Sequence, residues 1–256
     1  MGGKPKVTFI GSVDDRFANE EVPREWGQKS LATGADGTVV ASAFGLALLE
    51  NGENGPVFAY RKRYRAGRDR IYAPHVMPDG TVWYETNDRL NRLRKGDTTS
   101  AAITVEGLVQ RITDIDALAD GTLVIATAGS GTMLLRDGSV IARFDMRNGA
   151  PSDQCRAAVV RDGAVLVATA AGAYIVQDPL GSAEIQVFSR PAASSVRDVT
   201  DIDGDDQHLY LATPEGLCIV PLPLHDPPLV RPILHIDQVV VNDSALGQTD
   251  TVHMML

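Results

Sequence analysis

A short sequence pattern recurs five times along the chain at nearly constant spacing. Each copy has an apolar run, a turn that contains aspartate, a second apolar run and a Thr-x-x-Gly-like turn. The steps between successive copies are 43, 41, 42 and 44 residues, counted between the turn aspartates Asp36, Asp79, Asp120, Asp162 and Asp206. Self-similarity at this period means that one structural unit is repeated along the chain.

The local pattern of each copy predicts strands. Asp-Gly between two short apolar runs is a strong hairpin signal, because such residues tolerate the positive φ angles of tight turns. A third run follows the Thr-containing turn, and a fourth follows it in segments such as 140–144 and 185–188. Helical patterns longer than two turns are absent. We therefore predict an all-β fold, a β-propeller of four-stranded antiparallel blades with five recognisable repeats.

Composition narrows the function classes. The chain has 256 residues and a formal net charge of −9, whereas a general binder of nucleic acid or anionic membranes is normally basic. Its apolar runs are shorter than the roughly 18 to 20 residues that span a bilayer, and its start lacks the apolar core of a signal peptide. Cys155 and Cys218 allow either one disulfide or two buried thiols, and their spacing does not recommend the disulfide.

One copy carries a family resemblance. Asn148–Gln154, followed by a strand, an Asp-Gly turn and the sequence of residues 167–172, resembles the repeat of the two-component regulator propellers. Blades of that family read Asn-Gly-Leu-Pro-Ser-Asn, then a strand, then Gly-x-Leu-Trp-Ile-Gly-Thr-x-x-Gly-Leu. Trp83 and Thr86 match in the second copy and residues 212–217 in the fifth. The chain departs from the pattern in having alanine before threonine and tryptophan in one copy alone.

The C-terminal region predicts a domain boundary. Residues 221–228 are rich in proline, and a fresh alternating strand pattern follows over 233–243. In the regulator family a similar segment leads into a β-sandwich with a three-tyrosine motif. We expect residues 1–28 to be an N-terminal strand or the end of a preceding blade, 29–228 to be five blades, and 229–256 to begin the sandwich or close the propeller. The chain therefore reads as an excerpt of a partial propeller.

The resemblance implies a function. It suggests the extracytoplasmic, periplasmic-type sensor region of a histidine kinase or related signalling protein, non-catalytic in itself, with any kinase activity outside this chain. Its ligand would be a carbohydrate or another small molecule. A homodimer through the propeller or the following sandwich is expected, with membrane contact only through segments downstream. No nucleic acid, metal or other cofactor is expected.

Arginines recur where the innermost strands begin. Arg70, Arg111 and Arg197 each lie nine residues before a turn aspartate, and Arg68 precedes one of these entries. On an acidic chain, arginines at one structural register could form a rim that attracts anionic ligands. The alternative is that they form ion pairs with acids of the neighbouring blade.

Two aromatic residues flank strand entries and are candidates for stacking against a sugar or another flat ligand. They are Trp26 and Tyr72. Most other aromatic side chains should pack inside the blades, particularly Trp83.

Two further groups of polar residues have a structural interpretation. His75 and Asp116 share one register, four residues before the turn aspartate, so they could approach each other near the channel. Spacing assigns no third ligand or acid–base partner to them, and core packing is the favoured interpretation. The acidic run 201–206 lacks the distal glutamate of a calcium loop, which favours an acidic hairpin turn.

Two other functions remain open. The chain could be a propeller enzyme, a lyase or a metal-dependent lactonase, with three or four convergent ligands at the channel mouth. It could also be a protein-interaction scaffold, which internal pairing of the arginines would favour.

Overall fold

The structure, a computed structural model, describes residues 28–34, 37–42, 45–52, 55–57, 64–65, 70–87, 89–95, 97, 99–188, 198–222, 240–241 and 244–245. The chain divides into two compact units, Met1–Leu222 and Pro223–Leu256. Within the described residues, the first unit holds five antiparallel sheets and the second holds one short hairpin.

Each repeat forms one sheet, here called a blade, whose strands are hydrogen-bonded in chain order. The fifth blade has three described strands, and in the first blade an additional strand, β5, pairs with β3. These sheets confirm the predicted β-propeller with four-stranded antiparallel blades. The strands are β1 Gln28–Gly34, β2 Gly37–Ser42, β3 Gly45–Gly52, β4 Gly55–Val57, β5 Tyr64–Arg65; β6 Tyr72–Val76, β7 Val82–Thr86, β8 Arg89–Leu93, β9 Ala101–Ile103; β10 Ile112–Ala117, β11 Leu123–Thr127, β12 Thr132–Arg136, β13 Ser139–Phe144; β14 Cys155–Arg161, β15 Ala164–Thr169, β16 Gly172–Gln177, β17 Glu184–Phe188; and β18 Asp201–Gly204, β19 His208–Thr213, β20 Gly216–Pro221.

The hydrophobic core lies between the blades. Strands β11 and β15 are buried along their whole length, because each central strand is covered on both faces by neighbouring sheets. One cluster joins Leu134 of the third blade to Val167 and Tyr174 of the fourth, and another joins Leu90 of the second to Met133 of the third. Short aliphatic side chains fill these layers, which accounts for the 5% aromatic content.

The first strands of successive blades lie against one another. Contacts run from β1 to β6, from β6 to β10, from β10 to β14 and from β14 to β18. Each first strand is an edge strand of its own sheet, so its outward-facing backbone groups need partners from elsewhere. Side chains of the neighbouring first strands supply several of these partners.

The turns between the first and second strands are of two kinds. In the fourth blade Asp162 and Gly163 both have positive φ, which makes the two-residue turn that the sequence predicts. In the third blade the Leu118 N–H donates to the Thr122 carbonyl, and Gly121 alone of the turn has positive φ, which makes a three-residue loop. The second blade repeats this longer loop, in which Pro78 could not adopt positive φ. A position counted back from the turn aspartate therefore differs by one residue between the fourth blade and the second and third blades.

The turns between the second and third strands are fixed by threonine. In three blades the threonine hydroxyl donates to the carbonyl of the glycine that closes the turn. The pairs are Thr127 with Gly131 at 2.7 Å, Thr169 with Gly172 at 2.8 Å and Thr213 with Gly216 at 2.9 Å. These turns and the starts of the first strands lie at the same end of the sheets, here called the entry face, because the Ala128 N–H donates to the Arg111 carbonyl.

The second unit contains a hairpin of β21 Val240–Val241 and β22 Ser244–Ala245. Strand β21 falls within the strand pattern predicted over residues 233–243. The predicted N-terminal segment before Gln28 and the proline-rich link after Leu222 lie outside the described residues, and the predicted boundaries stay predictions. No described helix has the length and apolar character needed to cross a bilayer.

Candidate functional site

In the second to fifth blades, the entry face presents one residue directly before a buried one. The buried residues are Ile71, Ile112, Cys155 and Val199. The residues that precede them are Arg70, Arg111, Gln154 and Asp198. The rim therefore carries arginine in the second and third blades, an amide in the fourth and a carboxylate in the fifth.

Arg111 stacks on Tyr72 of the preceding blade. The guanidinium carbon lies 4.1 Å from the centre of the tyrosine ring, which is the geometry of a cation–π contact. Arg111 is exposed and forms no ion pair with the described residues. Its main chain is fixed by the bond from the Ala128 N–H to its carbonyl. The structure thus brings together two of the predicted site residues, and the donors of this surface guanidinium have no acceptor among the residues that the structure describes.

Arg156 shows the alternative use of an arginine at this face. It enters the fourth blade one residue after buried Cys155, and its guanidinium lies 3.1 Å from the Asp198 carboxylate of the fifth blade. Both side chains are about half exposed. This ion pair between neighbouring blades is of the kind that the sequence offered as the alternative to an anion-binding rim for Arg70, Arg111 and Arg197.

The other predicted site residues divide into two groups. Arg70 is exposed at the start of the second blade and forms no ion pair within the described part of the chain. Trp26, Arg68 and Arg197 lie outside the described residues. Their roles in ligand binding stay predictions.

The first strands of the second, third and fourth blades carry a second group of polar contacts. Asp116 of β10 contacts both neighbouring blades, because its Oδ1 lies 3.4 Å from His75 Nδ1 in β6 and its Oδ2 accepts a 2.7 Å hydrogen bond from the Val160 N–H in β14. The predicted approach of His75 and Asp116 is confirmed. Burial lowers the pKa of His75, and the Asp116 charge opposes that shift.

Asp114 occupies the next inward-facing position of β10. Its carboxylate accepts hydrogen bonds from the Ala158 N–H at 3.1 Å and from the Ile115 N–H at 2.9 Å. Burial raises the pKa of Asp114 to about 7, and the nearby charges of Asp116 and Asp201 add to that rise. Asp114 and Asp116 together therefore satisfy alternate N–H groups on the open edge of β14.

A repeated tetrapeptide marks these positions in the sequence. Thr-Asp-Ile-Asp occurs at 113–116 in β10 and at 200–203 leading into β18. In β18, Asp203 accepts a 2.6 Å hydrogen bond from Arg161 of β14. The predicted acidic hairpin turn over 201–206 is therefore limited to Asp205 and Asp206, because Asp201 and Asp203 belong to the strand.

These groups differ in what they can offer a ligand. In the described part of the chain, no three His, Cys, Asp or Glu side chains are grouped so that they could hold a metal ion. The carboxylates of β10 are already engaged by backbone N–H groups, whereas the guanidinium of Arg111 has donors to offer. The entry face at Arg111 and Tyr72 is therefore the candidate ligand site.

No family model matches the sequence, and no curated protein matches it. Solved structures match its fold. The WD40 β-propeller domain of Doa1 matches with a TM-score of 0.57 and 13% identity, over 77% of this chain and 66% of that chain. A structure named as the extracellular domain of the hybrid two-component system BT4673 from B. thetaiotaomicron matches with a TM-score of 0.56 and 14% identity, over 75% of this chain and 26% of that chain.

A third match is a structure named as a 6-phosphogluconolactonase from Bacteroides uniformis, with a TM-score of 0.55 and 13% identity, over 74% of this chain and 64% of that chain. In each case the chain covers less than two thirds of the matched protein. At such identities the likeness shows the fold alone: the chain is a β-propeller similar to those of sensor, WD40 and lactonase-named proteins.

Proposed function

We propose that this chain is the ligand-sensing part of a bacterial signal-transduction receptor, located outside the cytoplasm and without catalysis of its own. The fold supports this proposal, because a two-component extracellular domain has a similar propeller. The observation that carries it is the exposed Arg111 guanidinium stacked on Tyr72.

The chemistry of Arg111 indicates a ligand with a carboxylate. A guanidinium presents paired N–H donors that match the two oxygens of a carboxylate, and stacking on an aromatic ring restricts its orientation before the ligand arrives. Restricting the side chain in advance lowers the entropy lost on binding. An acidic carbohydrate such as a uronic acid would offer the carboxylate to Arg111 and a ring to the neighbouring surface.

Three other arginines of the structure form ion pairs within the chain. Arg156 is paired with Asp198, Arg161 with Asp203, and Arg136 with Asp120. Arg111 differs from them because its contact is an aromatic ring that leaves the N–H donors available. This contrast supports a binding role for Arg111 beyond a purely structural one.

Calorimetric titration tests the proposal. An oligomer of galacturonate and its neutral methyl ester would be titrated into the wild-type chain and into Arg111→Gln. We expect binding of the acidic oligomer alone, weakened about tenfold or more by the substitution, since a charge-assisted contact is lost. Arg136→Gln is the matched control, because Arg136 bonds to Asp120 and Thr122 in its own blade. Equal affinity of wild type and Arg111→Gln would contradict the proposed site.

The enzyme hypothesis lacks a comparable observation. A metal-dependent lactonase needs several converging ligands, and the described residues hold no group of three that could bind a metal. The lactonase-named structure shares the fold at 13% identity and carries no information about activity here.

A further inference from the structure

The second blade has a polar cavity on the face of its sheet opposite Tyr72. Tyr72 pairs with Glu85, and neighbouring residues of a strand point to opposite faces, so Tyr84 lies on the other side. The cavity has a volume of about 460 Å³, within the range of small-molecule sites. Its lining includes Tyr84, Thr86, Asn87, Arg89, Asn91 and Ser100.

The same positions hold large core side chains in the third and fourth blades. Tyr84 of β7 lies opposite Asn91 of β8. Counted from the threonine that ends each second strand, the equivalent pairs are Ile125 with Met133 and Val167 with Tyr174. Met133 and Tyr174 are completely buried in the cores between blades. Asn91 therefore stands where the third and fourth blades place a large core side chain, whereas the first and fifth blades have the smaller Ala47 and Cys218 there.

Hydrogen bonding in this blade also departs from the repeat. In the other three described turns of this type the threonine hydroxyl donates to a glycine carbonyl. In the second blade Arg89 occupies the place of that glycine, and Thr86 Oγ1 instead accepts a 2.8 Å hydrogen bond from the Asn91 amide. The Thr86 hydroxyl hydrogen has no acceptor among the described residues.

Asn91 is held rigidly by the same arrangement. Its amide also donates to the Arg89 carbonyl at 3.0 Å, so both amide hydrogens are used and its side-chain oxygen is left as an acceptor within the described residues. The Tyr84 hydroxyl hydrogen-bonds with Ser100, and burial raises the pKa of Tyr84, so this hydroxyl keeps its proton at neutral pH. Oriented uncharged donors and acceptors thus line the cavity together with one charged residue, Arg89.

We propose that this cavity is a second binding site, for a small uncharged polyhydroxy compound of about the size of a monosaccharide. Sugar hydroxyls both donate and accept, which matches the Thr86 hydroxyl hydrogen and the Asn91 oxygen. The ring of Tyr84 supplies an apolar wall. Buried polar side chains at a core position are unfavourable unless a partner satisfies them, and a polyol supplies such partners. This site is separate from Arg111 and does not depend on the proposed acidic ligand.

The test uses D-glucose, D-xylose and myo-inositol as probes in calorimetric titrations with the whole chain. Asn91→Met introduces the side chain that the third blade has at the equivalent position, Met133. This substitution should fill the cavity while keeping the fold. Thr86→Val removes the hydroxyl at nearly constant volume. Thr169→Val is the matched control, because Thr169 makes the turn bond to Gly172 in another blade.

We expect saturable binding of at least one probe to the wild type and to Thr169→Val. Binding should be weakened about tenfold by Thr86→Val and abolished by Asn91→Met. Hydrogen exchange of residues 82–93 should slow when the probe is bound. The proposal is overturned if no probe binds the wild type, which would leave the cavity to water, or if Asn91→Met binds the probe as tightly as the wild type.

Discussion

The carboxylate of Asp116 accepts a hydrogen bond from the backbone N–H of Val160, 2.7 Å away on the first strand of the next blade. Asp114 repeats the arrangement with the Ala158 N–H two residues earlier on that strand. The open edge of β14 is thus satisfied by side chains of β10 and not by another strand. These bonds hold neighbouring blades in register where no sheet pairing connects them.

Loss of the Asp116 carboxylate should loosen this contact. Asp116→Ala leaves the Val160 N–H without its acceptor, and we expect the free energy of unfolding to fall by about 1–3 kcal/mol. Asp116→Asn keeps an oxygen acceptor and should cost less. Urea denaturation monitored by circular dichroism measures both effects.

Asp137→Asn is the control for these variants. Asp137 lies in an exposed turn with φ 51°, a conformation that asparagine tolerates well, so a change within about 0.5 kcal/mol is expected. A stability of Asp116→Ala equal to that of Asp137→Asn would show that the bond to Val160 contributes nothing.

The pKa of Asp114 predicts a pH dependence of stability. Because its pKa is raised from 3.8 in the unfolded chain to about 7 in the folded chain, the folded state binds more protons between these values. The contribution of Asp114 to stability therefore falls as pH rises from about 4 to about 7, by at most about 1.4 kcal/mol per pH unit.

The lowered pKa of His75 makes stability rise with pH, which opposes the effect of Asp114. Comparison with Asp114→Asn isolates the effect of Asp114, because His75 is present in both proteins. The stability of the wild type relative to Asp114→Asn should decrease between pH 5 and pH 8 in urea titrations. Asp116 and Asp201 are the charged groups that act on Asp114, and both are retained in the variant. A constant difference between the two proteins across this range would contradict the raised pKa.

The two cysteines should react at different rates. Both thiols are free, which favours the thiol interpretation over a disulfide, although Cys218 is only partly buried. Cys155 is buried with its sulfur 3.4 Å from the Thr132 hydroxyl, and burial raises the pKa of its thiol. We expect maleimide to label Cys218 at least about tenfold faster in the folded protein, with equal rates in urea, as followed by mass spectrometry. Equal rates in the folded protein would show that Cys155 is accessible.

Spacing within the repeat predicted much of the fold. The Asp-containing turns located the blades, and counting from the turn aspartates brought His75 and Asp116 together, because their two blades share a three-residue loop. The same counting does not carry to the fourth blade, where the turn is one residue shorter.

Other contacts between blades could not be predicted in this way. The partners of Asp114 and Asp116 lie 44 residues away and are backbone groups, which carry no sequence signal. The stacking of Arg111 on Tyr72 likewise depends on how two sheets pack together. Arg111 and Arg156 both lie near the start of a first strand, yet the structure stacks Arg111 on an aromatic ring and pairs Arg156 with a carboxylate.

The central claim is that Arg111, positioned by Tyr72, binds a carboxylate. A double-mutant cycle with Arg111→Gln and Tyr72→Leu, titrated with the galacturonate oligomer, tests it most directly. Since Tyr72 acts through Arg111, we predict that Tyr72→Leu weakens binding several-fold in the wild-type background and has a clearly smaller effect when Arg111 is already glutamine. Unchanged affinity in Arg111→Gln, or a Tyr72→Leu effect that is the same in both backgrounds, would contradict the account.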